Sequence, residues 1–395
     1  MRMAFVWGGG GGLGYPAHYL KQFHAKYADA DELAQKVKDA GFETWDQLFW
    51  DKLGFALNPE LPTLRAWRFV EKGPPWVFER NPYYYKVDPE GNQLPYIDYV
   101  RLHAVEDKEM ITMRAIAGEL SFQARNISFS DYPLFMQNRE KGDYRVIKAF
   151  AENVGFTIFP NQTLVGDDVM LSLIQDIRFR KALNLAIDRD EMNELIEFGE
   201  RAPVTVLFPD LQDEEELFTH LEYDPDQANA LLDEMGLEMG SDGFRLRPDG
   251  KQLIALVDVF SGKWFMDCAE LISSYWEAIG VKMSPQEISY DLWWPRIYSH
   301  EYAFCGYVKD GQMGLGRYVY PRSYTPVDHS TYWAPAWGLW YTSGGTEGVE
   351  PTHPDARRAQ ELFDEAVASV DSAKQVEILN EICRMDLRNV WEVLT

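Results

Sequence analysis

Between residues 164 and 280 the chain is punctuated by aspartates that can cap helices and glycines that can stop them, and no other feature restricts its fold so strongly. Asp224-Pro225-Asp226-Gln227 is the clearest case. It sets an acceptor at the cap, proline at the first helical position and glutamine at the third, ahead of Ala228, Leu231, Leu232 and Met235 on one face, with Gly236 as terminator. Asp176 can cap a helix carrying Phe179, Ala182, Leu183 and Ala186. Asp188 can cap the next, whose first turn holds Asp190 and Glu191 and whose end is Gly199. Residues 244–247 and 253–257 flank Pro248-Asp249-Gly250-Lys251, a hairpin signal. A helix over 265–279 then stops at Gly280 and leads into a strand at 281–283. Strands set among helices in this way predict an α/β fold.

The first half reads differently. Residues 31–40, closed by Gly41, and 45–53 are helical, as are 107–116, while 154–159 is a buried strand. Residues 76–79 and 97–102 mix apolar and polar side chains at near period two, which predicts two strands around an irregular loop. Asn81 precedes a proline and is therefore extended, and Asp88-Pro89-Glu90-Gly91-Asn92 is rich in turn formers. The tyrosines of this hairpin need have no ligand role. The glycines at 8–12 lack the lysine and Ser/Thr of a phosphate loop and read as a connection.

A net charge of -25 repels polyanions, so nucleic acid and anionic membranes are excluded as partners. Cys268, Cys305 and Cys383 are odd in number and far apart, which leaves them buried and inert, without a disulfide framework. Neither an apolar signal-peptide core nor a run of about 18 apolar residues occurs. Asp167-Asp168 and Glu214-Glu215-Glu216 read as solvated loop acids. His18 and His24 lack HExxH spacing, and no GxSxG occurs, so neither catalytic residues, a metal nor a cofactor is expected.

The segment RNPYYYKVDPEGNQLPYID at 80–98 resembles a signature of the family 5 extracellular solute-binding proteins of bacterial ABC importers. DIRFRKALNLAIDRDEMNELI, YDPDQANALLDEMGL and DGFRLRPDGKQL resemble segments of the family's second lobe, so the likeness spans roughly residues 15–395. It implies a two-lobed, periplasmic-binding-protein-like fold (type II), with mixed sheets flanked by helices. The implied domains are 1–58, a remnant of the small N-terminal domain, 59–163, part of lobe I, and 164–395, lobe II. Lobe I is expected to be incomplete, the family's first strands preceding residue 1 and its returning strands following residue 395. One hinge strand is expected near 159–163.

The resemblance also implies capture without turnover: a monomeric binding component, periplasmic or extracellular and lipid-anchored, that delivers a small molecule or peptide to ABC permease subunits. Oligopeptides are the first expectation and oligosaccharides the alternative; a secreted carbohydrate-active enzyme is the rival from another class. Residues 290–341 are dense in aromatics separated by glycine and proline, which favours surface loops whose rings stack on a ligand. The expected ligand-binding residues there are Trp293, Trp294, Trp337 and Trp340. Gly306-Tyr307-Val308-Lys309-Asp310 resembles the family's Gly-Trp-x-x-Asp, which makes Asp310 the candidate anchor for a peptide amine, beside Tyr307. Lys309 offers Asp310 a local countercharge.

Overall fold

The computed structural model describes residues 15–54, 58–148, 153–310, 314–318 and 320–395, without the side chains of Asn153, Val154, Val206, Leu207 and Asp310. The glycines at 8–12 lie outside the described residues. The chain divides into two compact units, Met1–Met113 and Arg114–Thr395.

In the first unit, Asp29 opens α1 (Ala30–Asp39) by accepting from the amides of Asp31 and Glu32 at 3.0 and 3.1 Å. Leu33 and Val37 of α1 pack on Leu48 of α2 (Trp45–Leu53) and on Phe23. Three antiparallel strands follow in the order β1 (Trp67–Glu71), β2 (Trp76–Arg80), β3 (Tyr99–Leu102). The predicted hairpin is the β2–β3 pair, with Trp76 opposite Leu102 and Phe78 opposite Val100.

Asn81 explains why the loop between them has its shape. Its buried amide donates to the carbonyls of Thr63 and Arg65 at 3.0 and 2.9 Å, and its oxygen accepts from the Tyr83 amide at 3.0 Å. Gln93 adds bonds to the carbonyls of Pro82 and Tyr84 at 2.7 and 2.9 Å. Tyr83 is 88% exposed. The motif's polar residues therefore fold the hairpin while its first tyrosine stands in solvent. Asn81→Leu is expected to destabilise the first unit by about 3 kcal/mol, since a buried side chain loses three hydrogen bonds and orphans two carbonyls. Urea unfolding of the isolated variant against wild type measures it; a change under about 0.5 kcal/mol would show that the loop holds without Asn81.

A helix, α3 (Lys108–Ile116), spans the division between the units, and α4 (Tyr132–Asn138) follows it. The second unit is built on a five-stranded sheet in the order β6 (Lys282–Ile288), β5 (Ile254–Phe260), β7 (Phe304–Asp310), β4 (Asn153–Pro160), β8 (Val393–Leu394). β5 runs parallel to β6 and β7, whereas β4 is antiparallel to β7 and β8. The short β8 brings the chain's last residues back onto β4, with Leu394 opposite Thr157.

Alternation along the strands separates two cores. Ala255, Val257, Val259 and Phe304 face one, shared with α5 (Asp168–Gln175), α6 (Ile177–Leu185), α7 (Arg189–Ile196), α8 (Pro225–Glu234) and α9 (Lys263–Ala278). Phe260, Cys305 and Tyr307 face the other, with Trp293 and Ile297 of α10 (Tyr290–Ser299), Trp337 of α11 (Pro335–Thr342), and Trp333 and Trp391. A third core joins α12 (Pro354–Ala368) to α13 (Ser372–Asn389).

The caps fall where the sequence places them. Asp176, Asp188 and Asp224 accept from the amides of Arg178, Glu191 and Gln227 at 2.8–2.9 Å. Gly236 and Gly280 take positive φ, 73° and 77°, just past their helices. The helix expected over 265–279 begins two residues earlier, at Lys263. The hairpin at 248–251 turns with Leu246 bridged to Gln252, its first arm being isolated bridges rather than a full strand.

Two expectations are corrected. Asp167 is no loose acid: it caps α5 and receives Arg247 in a two-pronged pair at 2.6 and 2.7 Å, and Glu214 receives Arg384 at 2.8 Å. Partners 80 and 170 residues away supply what local sequence does not. Residues 290–341 are also not mainly surface loop. α10, β7 and α11 occupy much of the stretch, because apolar side chains spaced four apart, such as Trp293 with Ile297, bury one helical face despite Pro295 inside α10.

Candidate functional site

The parallel pair β5 and β7 is in register from Val257 opposite Phe304 to Val259 opposite Gly306, so β7 continues for four residues beyond the ladder. Carboxyl ends of parallel strands are where open α/β sheets hold ligands. Here that end is furnished with rings. Phe260 ends β5, Gly262 turns the chain at φ 147°, and Trp264 and Phe265 lie in the first turn of α9.

Tyr307 is the centre of the group. Its ring is parallel to Phe265 at 5.6 Å and edge-on to Phe260 at 4.9 Å, with Trp293 and Tyr332 at 5.5 and 5.8 Å. Tyr290, 64% exposed, meets Phe260 at 6.1 Å and carries the aromatic surface outward. Gly306 precedes Tyr307 for a packing reason: a Cβ there would lie 2.5 Å from Phe156 Cζ. Such half-buried rings offer flat apolar faces to a sugar ring or an apolar side chain.

Of the expected ligand residues, Tyr307, Trp293 and Trp294 come together. Trp293 is 1% exposed and forms the inner wall. Trp294, half-buried, stacks on Tyr298 at 5.9 Å and on Tyr332 at 6.3 Å, under the Arg322 guanidinium at 5.6 Å. Trp337, 3% exposed, lies away from Tyr307, edge-on to Trp333 and Trp391 at 6.1 Å each. Trp340 shares no ring contact with these among the described residues. Asp310 ends β7 opposite Asn153, and its side chain lies outside the described residues. Phe260 and Phe265 join the ring group without having been expected from the sequence; a turn of Ser261-Gly262 between strand and helix, with rings on both sides, is the signal that could have found them.

Lys309 corrects another expectation. Its ammonium is fully buried and donates to Asp386 Oδ2 at 2.5 Å and Glu392 Oε2 at 2.6 Å, with the Tyr324 ring 4.8 Å away. It is therefore committed to α13 and to the segment before β8 rather than lying free beside the end of β7. Burial alone would lower its pKa, but Asp386 and Glu392 outweigh burial and raise it. Both acids are raised in turn, burial being the chief cause and Lys309 opposing it; Glu392 goes well above the usual carboxylate range because the Asp386 charge adds to burial. The second oxygens, Asp386 Oδ1 and Glu392 Oε1, have no hydrogen-bond partner among the described residues.

Among the described residues no three His, Cys, Asp or Glu side chains converge as a metal site, and no helix is long and apolar enough to cross a membrane. The three cysteines are buried and free, with thiols raised by burial, Cys383 to about 12.

A sequence profile of the bacterial extracellular solute-binding proteins, family 5, middle region, matches residues 57–327. The periplasmic alpha-galactoside-binding protein of Rhizobium meliloti (strain 1021) is 29% identical over 256 residues, 60% of this chain and 34% of that protein. A probable ABC transporter-binding protein of Deinococcus radiodurans is 24% identical over 242 residues, 57% of this chain and 39% of that protein. The chain thus spans little more than a third of the length of these curated relatives. Among solved structures, an oligopeptide-binding protein OppA is 33% identical with a TM-score of 0.63, covering 96% of this chain and 63% of that one. The periplasmic binding protein MelB of Agrobacterium fabrum C58, solved with stachyose, shares the fold at 17% identity and TM-score 0.63, covering 96% of this chain and 56% of that one. With the matched profile running through β5, β7 and the rings at their ends, the chain belongs to the bacterial extracellular solute-binding proteins of family 5.

Proposed function

We propose that the chain is the ligand-gripping part of a substrate-binding component of a bacterial ABC importer, and that its ligand is an oligopeptide. The ring group around Tyr307, at the carboxyl ends of β5 and β7, carries the reading, because it offers apolar faces at the place where such sheets hold ligands. The 33% likeness to an oligopeptide-binding protein over 96% of the chain favours a peptide. Asp310 would take the peptide amine, and Trp294 and Tyr290 would flank its side chains. Capture would follow from closure of two lobes on the ligand, the closed state being favoured by contacts that both lobes make. Delivery to permease subunits outside the cytoplasmic membrane, as a lipid-anchored monomer, completes the proposal.

A second reading, oligosaccharide capture, is supported by the same flat rings and by the alpha-galactoside-binding relative. Titration calorimetry of the full chain with trialanine and with stachyose separates the two. Tyr307→Ala is expected to weaken whichever ligand binds by about tenfold, or roughly 1.4 kcal/mol. Unchanged affinity in that variant would remove the ring group from the site.

A further inference from the structure

We propose that Lys309 is a positioning residue, which acts through Asp386 and Glu392 to hold the projecting end of β7 and hence the Tyr307 ring; this rests on the reading of Tyr307 as a ligand-binding side chain. The need for such an anchor follows from the ladder. β5 stops pairing with β7 at Gly306, so residues 307–310 have a strand on one side only, β4, and there the register is irregular between Val154 and Phe156. Half of the usual restraint is missing where the ring must be held.

Lys309 supplies it from the same face. Tyr307 and Lys309 are two apart on a strand and so project to one side, Tyr307 into the rings and Lys309 between α13 and the segment before β8. The acceptors are themselves fixed. Asp386 is a buried position of α13, and Glu392 sits in a segment whose carbonyl accepts from Asn184 Nδ2 at 3.0 Å. An apolar side chain could fill the same space, but only a donor that needs two acceptors at once sets the strand's position along and across the sheet. Buried ionic groups of this kind add specificity of arrangement more than net stability.

Among the described residues the groups facing Lys309 are Asp386, Glu392, the Cys383 thiol and the Tyr324 ring, which also lies 5.9 Å from the Arg317 guanidinium. That small set permits a clean test. Lys309→Met alone strands two buried acids and is expected to be strongly destabilised, so the informative protein is Lys309→Met with Asp386→Leu and Glu392→Gln, which buries no charge. Amide exchange of the full chain without ligand, compared between Tyr307 and Val308 on one hand and Ala255 and Val257 of β5 on the other, reads the anchor directly. Exchange at 307 and 308 is expected to quicken by about tenfold or more while β5 keeps its parental rates. Binding of trialanine or stachyose, whichever the parent takes, is expected to weaken by about tenfold with the unfolding midpoint unchanged. Parental exchange rates at 307 and 308, or a rise shared equally by β5, would reduce Lys309 to a structural residue and overturn the proposal. If the parent takes neither probe, the peptide and oligosaccharide readings fail for those ligands, and the exchange comparison alone still decides the role of Lys309.

Discussion

Lys309→Met is expected to lower the unfolding free energy of the Arg114–Thr395 unit by about 3–5 kcal/mol, the cost of removing one partner from a buried ionic group. The lysine is completely buried, and both acids lose its ammonium when it goes. Part of the cost is avoidable, because Asp386 and Glu392 can each take up a proton. The variant should therefore regain stability as the pH falls through the carboxylate range, more steeply than wild type does. Chemical denaturation at pH 5 and pH 8 tests it. Equal losses at the two pH values would show that packing, rather than charge, explains the damage.

Wild type carries a milder form of the same dependence. Glu392 has a folded pKa well above its unfolded one, so the folded state keeps a proton that the unfolded state releases. Stability from this group is full below the unfolded value, near 4.5, and is lost as the pH climbs towards the folded value. Glu392→Gln holds the neutral form permanently and should flatten that part of the profile.

Arg180→Leu is the second large effect. The buried guanidinium donates to the carbonyls of Ile174, Asn389 and Val390 at 2.5, 2.7 and 2.8 Å and lies over the Trp391 ring at 5.2 Å. It is thus the first of three arginines that grip the last seven residues: Arg189 donates to the Leu394 carbonyl at 2.6 Å, and Arg201 to that of Thr395. Burial holds the Arg180 pKa down to about 10, so removing the charge returns some desolvation energy. Three lost charge-assisted bonds and two orphaned carbonyls, those of Asn389 and Val390, outweigh that gain, leaving a net loss of about 3 kcal/mol, while the Ile174 carbonyl keeps Gln162 as a donor. Protease digestion should then release the end of the chain before the sheet unfolds. If cleavage near 389–395 is no faster than in wild type, the arginines do not hold the segment.

Much of the fold was legible in the sequence. Asp176, Asp188 and Asp224 cap the helices they were expected to cap, the strands around 76–79 and 97–102 pair, and residues 153–160 form an interior strand of the larger sheet. The ring group was legible as a density of aromatics but not as a site. Residues 290–341 contain both its core rings and its open ones, and local spacing does not say which side of α10 is covered.

Helix caps, turns and strand alternation depend on neighbours within about four residues, so the sequence by itself determined the helices capped by Asp176, Asp188 and Asp224 and the pairing of the strands around 76–79 and 97–102, and with them the family. The partners of Lys309, Asp167 and Arg180 are 77, 80 and 210 residues away. Which charges meet, which tryptophans are core and which rings face outward is decided by how strands and helices stack, a matter of long-range packing that no local pattern records. Tertiary structure alone therefore turned Lys309 from a local countercharge for Asp310 into the buried partner of Asp386 and Glu392, and gathered Phe260, Phe265 and Tyr307 from two strands and a helix into one aromatic group.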